Sequence, residues 1–424
     1  MLIALVAVMI MFEIMMGVRT GEGFNLFGMS LFNPSNITNI INQNAYVVIL
    51  AAGMLLCILT GGNIDLSVGS IVCLVGAVAG SMIVNHGCNI YFTILVCLFV
   101  GTLIGAWHAF WIAYVHIPPF ICTLSGMLLW RGVSLIILDG LTISPFPDNY
   151  LNLFSSYIGQ AEKTKNIMGT MYDLAGEPYT DVVWQYASST LTLTLIIGAI
   201  CCAIMIIAQF FSRINKQRKG YTVEPFVPFV IRMVVVSIVV MAVSALLGLH
   251  NGLPVILILL AVVIAGYSYY TQNTVPGRYL YAIGGNAKAA KLSGVNTDNV
   301  MFFAYTNMGF LSAVAALVCV ARFNSAAPTA GTNYEMDAIG SCFIGGASAY
   351  GGTGTVGGAV IGAIFMGVLN NGMSILGVDS NWQKAVKGLV LLLAVIFDVV
   401  SKGQAKVNHK FSLKSLLKLL RLAK

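Results

Sequence analysis

The chain has 424 residues, of which 58% are hydrophobic and only 9% charged, against roughly a quarter charged in soluble domains. This composition excludes a soluble enzyme, a disordered chain and a nucleic-acid-binding domain, and it makes lipid the solvent. At about 20 residues per crossing, the length has room for a dozen membrane helices with connecting loops.

In chain order the apolar runs fall near 1–17, 46–61, 66–84, 92–115, 120–138, 190–211, 227–248, 252–271, 300–320, 336–350, 355–376 and 383–400. The first run carries Glu13 and has neither a basic leader nor a small-residue cleavage site, so it predicts a first span and not a secretory signal. The fold class expected is all-α: a polytopic transmembrane helical bundle of about 12 spans, or 10–12 where 336–376 holds broken helices.

The net charge is +7. Seven of the 22 basic residues (Lys402, Lys406, Lys410, Lys414, Lys418, Arg421 and Lys424) lie in the tail, leaving fifteen basic against fifteen acidic side chains ahead of it. The short segments around Arg213–Lys219 and Arg278–Lys291 are also basic, and an excess of Lys and Arg marks cytoplasmic loops. Twelve spans put all three segments on one side, with both termini cytoplasmic. The opposite loop, 139–189, is acidic. In the tail 402–424, Phe411, Leu413, Leu416, Leu417 and Leu420 interleave with basic residues, as in an amphipathic helix lying on an anionic lipid surface; a solvated basic tail fits equally.

Nine cysteines show no CxxC and no Cys/His metal spacing, and read as small packing residues. There is no GxxxxGK[ST], so the chain has no phosphate-binding P-loop of its own. His86, His108, His116 and His250 stand near run ends and read as interfacial. Charges inside the runs are few. Asp65, Arg131, Arg232, Asp337, Lys384, Lys387 and Asp398 are placed near span ends, which disfavours an ion-coupled carrier.

Three glycine-rich stretches stand out: Gly61–Ser70, Gly277–Gly294 and Gly345–Gly354. Gly354, Gly358 and Gly362 form a GxxxG ladder suited to close helix packing. Asp65 and Ser67 either line a polar pathway or cap the next helix. Asp337 ahead of Gly340-Ser341 echoes Asp65 ahead of Gly69-Ser70, a weak internal repeat.

Four segments resemble the permeases of bacterial ABC importers for monosaccharides, the ribose, xylose and galactose group: GGNIDLSVGS at 61–70, PPFICTLSGMLLWRG at 118–132, GRYLYAIGGNAKAAKLSGV at 277–295, and GGASAYGGTGTVGGAVIGA at 345–363 followed by NNGM and NWQKAVKG. The extra spans near 190–248 are most like the xylose or multiple-sugar branch. Asn63 departs from the family, which usually has glycine there.

The resemblance implies a single permease domain over 1–401, not an enzyme and without a cofactor, in the bacterial inner membrane. It implies a cytoplasmic ATPase that binds ATP, an extracytoplasmic sugar-binding protein and a second permease copy as partners. Segment 277–295 is then the coupling element, with Gly277, Arg278, Gly284, Gly285, Asn286, Ala289, Ala290 and Gly294 as its residues. Asp65, Ser67, Phe120, Thr123, Asn370 and Asn371 are candidates for the translocation path. Related importers of branched-chain amino acids or nucleosides, and a stand-alone secondary carrier, are the alternatives.

Overall fold

A computed structural model describes residues 2–20, 31–158, 180–221 and 223–401. The basic tail and residues 159–179 of the acidic loop lie outside the described residues. Fourteen helices occur among them: α1 (Leu2–Thr20), α2 (Pro34–Leu59), α3 (Val68–Gly80), α4 (Ile90–Ala113), α5 (Pro119–Leu138), α6 (Asp148–Ser155), α7 (Thr180–Arg218), α8 (Phe226–Gly248), α9 (Ile256–Asn273), α10 (Val275–Leu292), α11 (Thr297–Phe323), α12 (Tyr334–Ile344), α13 (Val356–Ile375) and α14 (Ser380–Ser401). A π-helical turn, Ser81–Asn85, extends α3.

Helix starts follow local chemistry. Asn33, Asn89, Thr274, Asn296 and Thr355 each accept a backbone N–H of the following turn, and Pro34 sits in the first turn of α2, where its missing donor costs nothing.

Nine of the described helices are long and apolar enough to cross a membrane. The other three runs fall short for separate reasons. The apolar part of α1 spans only 4–18, α12 has 11 residues, and α14 carries Lys384, Lys387 and Asp398. The run starting at 46 also begins too late: α2 reaches back to Pro34 because its first turns are polar yet helical.

Two helices form the centre. Almost every residue of α2 from Ala45 to Leu59 is buried, and so is most of α11. The backbones of α4 and α11 touch where Gly101 and Gly105 cross Gly309. A Cβ on Gly309 would strike Gly101 O and the Gly105 Cα at 2.6 Å. In lipid, where apolar side chains gain nothing by leaving the solvent, such backbone proximity supplies dispersion contact. Gly358 and Gly362 of the glycine ladder pack on Gly345 and Ser341 at the end of α12; Gly354 is in the preceding turn.

The bundle has two distinguishable ends. Strand β1 (Tyr157–Ile158) pairs antiparallel with β2 (Leu253–Pro254), and Ile143 bridges Ala326 just past the end of α11. The start of α11 adjoins α10. At 1.5 Å per residue, its 27 residues separate these ends by about 40 Å.

The candidate coupling junction and polar interior

α10 divides at Asn286, whose φ of −163° breaks the helix. Asn286 Oδ1 accepts the Ala289 N–H at 3.0 Å and so caps the second half. That half ends at Ser293, and Gly294 at φ 86° lets the Val295 N–H return to Ala290 O, a common helix stop. Gly277 is buried against Tyr270 O and Thr271, which presses α10 onto α9. Arg278 is exposed.

Gly284 enters a junction of all three glycine-rich stretches. A Cβ there would strike Leu59 O and Gly352 N, with the Gly352 Cα at 2.7 Å. Gly352 N–H donates to Leu59 O at 3.1 Å. Gly62, at φ 75°, lies on Ala349 O, and a Cβ on Gly351 would sit 2.5 Å from the Gly61 Cα. Tyr281 Oη donates to Gly354 O at 3.0 Å. Burial pushes that phenol above its ordinary pKa, against the opposing hydrogen bond with Thr271, so it remains a donor. Asp398 Oδ2 accepts from Ala349 N at 3.1 Å, tying α14 to the same loop. Motifs more than 200 residues apart in sequence thus share one backbone-to-backbone contact. Gly285, next to it, has nothing among the described residues within 4 Å of an added Cβ.

The face of α10 differs from the sequence expectation in one respect. Ala290 is buried at 6% exposure and packs into its own chain. Ala289 is exposed, and Leu292 is 90% exposed. An open leucine beside lysines is a surface feature that the sequence does not announce, since helix propensity alone does not say which face is free.

The path candidates occupy three separate places. Asp65 is buried and accepts both Ser67 N–H (2.8 Å) and Ser67 Oγ–H (2.6 Å). This is a local turn that leads into α3. Ser67 Oγ lies 3.4 Å from His108 Nδ1, and Trp130 Nε1 donates to His108 Nε2 at 3.3 Å. His108 is wholly buried, not interfacial as its place near a run end indicated; it stands one turn inside α4, facing α3 and α5. Its imidazole fills the space over Gly126.

Phe120 and Thr123 lie in the first two turns of α5. Phe120 is 54% exposed. Thr123 is buried and returns its hydroxyl to Pro119 O at 2.9 Å. Asn371 exchanges two 2.9 Å hydrogen bonds with Asn36 of α2. Asn370 Oδ1 is buried without a partner among the described residues.

Asp337 and Lys387 meet inside the bundle. Lys387 Nζ reaches Asp337 Oδ1 at 2.9 Å, and Tyr46 Oη donates to Asp337 Oδ2 at 2.9 Å. Asp337 is 1% exposed, so an ion pair inside the bundle joins α12, α14 and α2. The repeat of Asp65 and Asp337 is positional: Asp65 precedes its helix, whereas Asp337 is within the first turn of α12. The two helix starts do meet. Gly69 packs against Gly331 O, and a Cβ on Gly69 would stand 2.6 Å from Glu335 Oε2.

The model of the family described as branched-chain amino acid transport system / permease component matches residues 36–159 and 182–395. This chain belongs to that permease family. The permease is 35% identical over 405 residues to the xylose transport system permease protein XylH of Escherichia coli K12, covering 96% of this chain and 92% of the relative. It is 33% identical over 368 residues to the ribose import permease protein RbsC of Haemophilus influenzae, covering 87% and 86%. No solved structure matches. The permease therefore falls in the sugar group of ABC importer permeases, as a multi-pass inner-membrane subunit and not an enzyme.

Proposed function

We propose that the permease forms the membrane path for a monosaccharide, with a pentose of the xylose type as first choice, and that it is driven through α10 by a cytoplasmic ATPase. The family model takes its description from amino acid importers; the sugar reading rests on the two relatives, whose names specify xylose and ribose. An extracytoplasmic sugar-binding protein delivers the substrate, a second copy of the chain completes the path, and ATP is bound by the ATPase, the permease needing no cofactor. Both termini are cytoplasmic in this reading, the chain crosses about twelve times with α12 as a broken helix, 139–189 lies outside, and the tail 402–424 lies on the inner leaflet.

The observation that carries the coupling role is the contact of Gly284 with Leu59 and Gly352. A displacement of α10 cannot be absorbed there by side chains, because none intervene. It passes directly to the end of α2 and to the loop between α12 and α13. Ala289 and Leu292 offer the surface for the ATPase. Along the path, the orphan amide oxygen of Asn370 favours contact with water or sugar hydroxyls, and exposed Phe120 is open to the same role. Asn371, Thr123 and the Asp65–Ser67 turn have internal partners and act as supports.

The experiment is co-purification of the ATPase together with sugar uptake in proteoliposomes. Ala289→Glu and Leu292→Ser should each weaken assembly and uptake together. Full assembly and uptake in both variants would remove α10 as the docking element. Competition between labelled xylose and unlabelled ribose in the same vesicles separates the pentoses.

A further inference from the structure

The hairpin of α7 and α8 holds two adjoining recesses that the transport reading does not use. The first, a pocket of about 330 Å³, is lined by Gln209, Ser212, Arg213, Lys216, Glu224 and Arg232, among others. The second is a groove of about 570 Å³ lined by Ile206, Phe210, Val230, Met233, Val234 and Ile238, with Ser237 and Met241. Positions 209 and 210, 229 and 230, and 232 and 233 divide between the two, so the recesses lie on adjacent faces of the same helix pair. The Phe210 and Phe229 rings, 5.4 Å apart edge to face, mark their boundary.

The pocket carries unbalanced positive charge. Arg213 stands 4.8 Å over the Phe229 ring and Arg232 5.7 Å over the same ring. Two guanidinium groups thus share one aromatic ring in the wall of the pocket. Only Arg232 has a carboxylate, Glu224 at 2.9 Å; among the described residues the one other ion pair is Lys387–Asp337, so Arg213 and Lys216 have none. Guanidinium groups beside Ser and Gln donors match a phosphodiester, which accepts planar paired hydrogen bonds. A free phosphate would satisfy the pocket but leave the groove unexplained. The groove has an almost wholly apolar lining and neighbours the charged pocket on the same two helices, so an anion that fits both carries an acyl chain.

We propose that α7 and α8 form a binding site for an anionic phospholipid of the phosphatidylglycerol type, with its phosphate on Arg213, Lys216 and Arg232 and an acyl chain between Phe210, Met233 and Ile238. Basic recesses between membrane helices take such headgroups, each nearby Lys or Arg contributing on the order of 1 kcal/mol. The site gives the hairpin a ligand of its own at the membrane surface.

The test is native mass spectrometry of the permease purified with its ATPase, titrated separately with phosphatidylglycerol, phosphatidylcholine and soluble glycerol phosphate. The expected result is retention of phosphatidylglycerol over phosphatidylcholine, roughly thirtyfold weaker in Arg213→Gln/Lys216→Gln, with no retention of glycerol phosphate. Val234→Trp, which fills the groove and spares the charges, should weaken phosphatidylglycerol as well. ATPase co-purification reports that each variant is folded. Unchanged phosphatidylglycerol retention in the double variant overturns the proposal, as does equal binding of glycerol phosphate, which makes the pocket a phosphate site only. Loss of ATPase with lipid retention intact also overturns it and assigns the basic residues to subunit contact.

Discussion

The glycine junction and the α7–α8 hairpin solve the same packing problem in opposite ways. At the junction, Gly284, Gly62 and Gly351 bring backbone against backbone, so any displacement is transmitted. In the hairpin, Ile204, Ile207, Phe211, Ile231, Val235 and Ile238 are all strongly exposed, and the recess between the helices is open. Small residues make the centre rigid and intolerant. Large apolar residues make the hairpin a lipid-facing unit that tolerates change. Sensitivity to mutation should therefore follow backbone contact and buried charge, and not hydrophobicity.

The largest loss is expected where a buried charge is stranded. Lys387→Met leaves Asp337 without its cation and should cost about 3–5 kcal/mol, read as a lowered unfolding midpoint of the purified permease. Adding Asp337→Asn should restore most of it, because no bare charge remains. A double variant as unstable as the single one would mean that the pair is not coupled.

Overpacking comes next. Gly309→Leu drives a side chain into the backbone of α4 and should cost about 1–3 kcal/mol or more. Gly266→Leu, at a helical glycine where an added Cβ has nothing among the described residues within 4 Å, should stay within about 0.5 kcal/mol. The contrast fails if the two behave alike in the same unfolding titration.

The helix inventory is largely legible in the sequence, because a run of apolar residues near span length has few alternatives in lipid. The cap at Asn286 is readable from the sequence as well. What periodicity does not contain is which polar groups meet. Asp337 and Lys387 each resemble a snorkelling end residue until α12 proves too short to span. His108 resembles an interfacial histidine until α3 and α5 close over it. Each glycine stretch is visible alone, but their convergence depends on contacts between positions 59, 284 and 352. Ala290 reads from sequence as part of the free face of α10 and is buried instead, since an Ala-Ala pair gives no periodic signal.

A smaller effect separates the two asparagines. Asn371→Leu removes the pair with Asn36 and should cost about 1 kcal/mol, with Asn36→Leu similar and the double variant far from additive. Asn370→Leu should leave stability unchanged and reduce sugar uptake, since its amide oxygen has no internal partner among the described residues. Normal uptake in that variant takes Asn370 out of the path. Smallest of all, Arg213→Gln/Lys216→Gln in detergent without anionic lipid should move stability by no more than about 0.5 kcal/mol.

The transmission claim is tested most directly by comparing Gly284→Ala with Gly285→Ala in vesicles holding the full transporter, and measuring ATP hydrolysis and sugar uptake on the same preparation. One added methyl at 284 meets Leu59 O and Gly352; at 285 it meets nothing among the described residues. Gly284→Ala should keep ATPase binding and hydrolysis while uptake per ATP falls at least several-fold, and Gly285→Ala should match the parent. Equal uptake per ATP in the two variants would contradict the account.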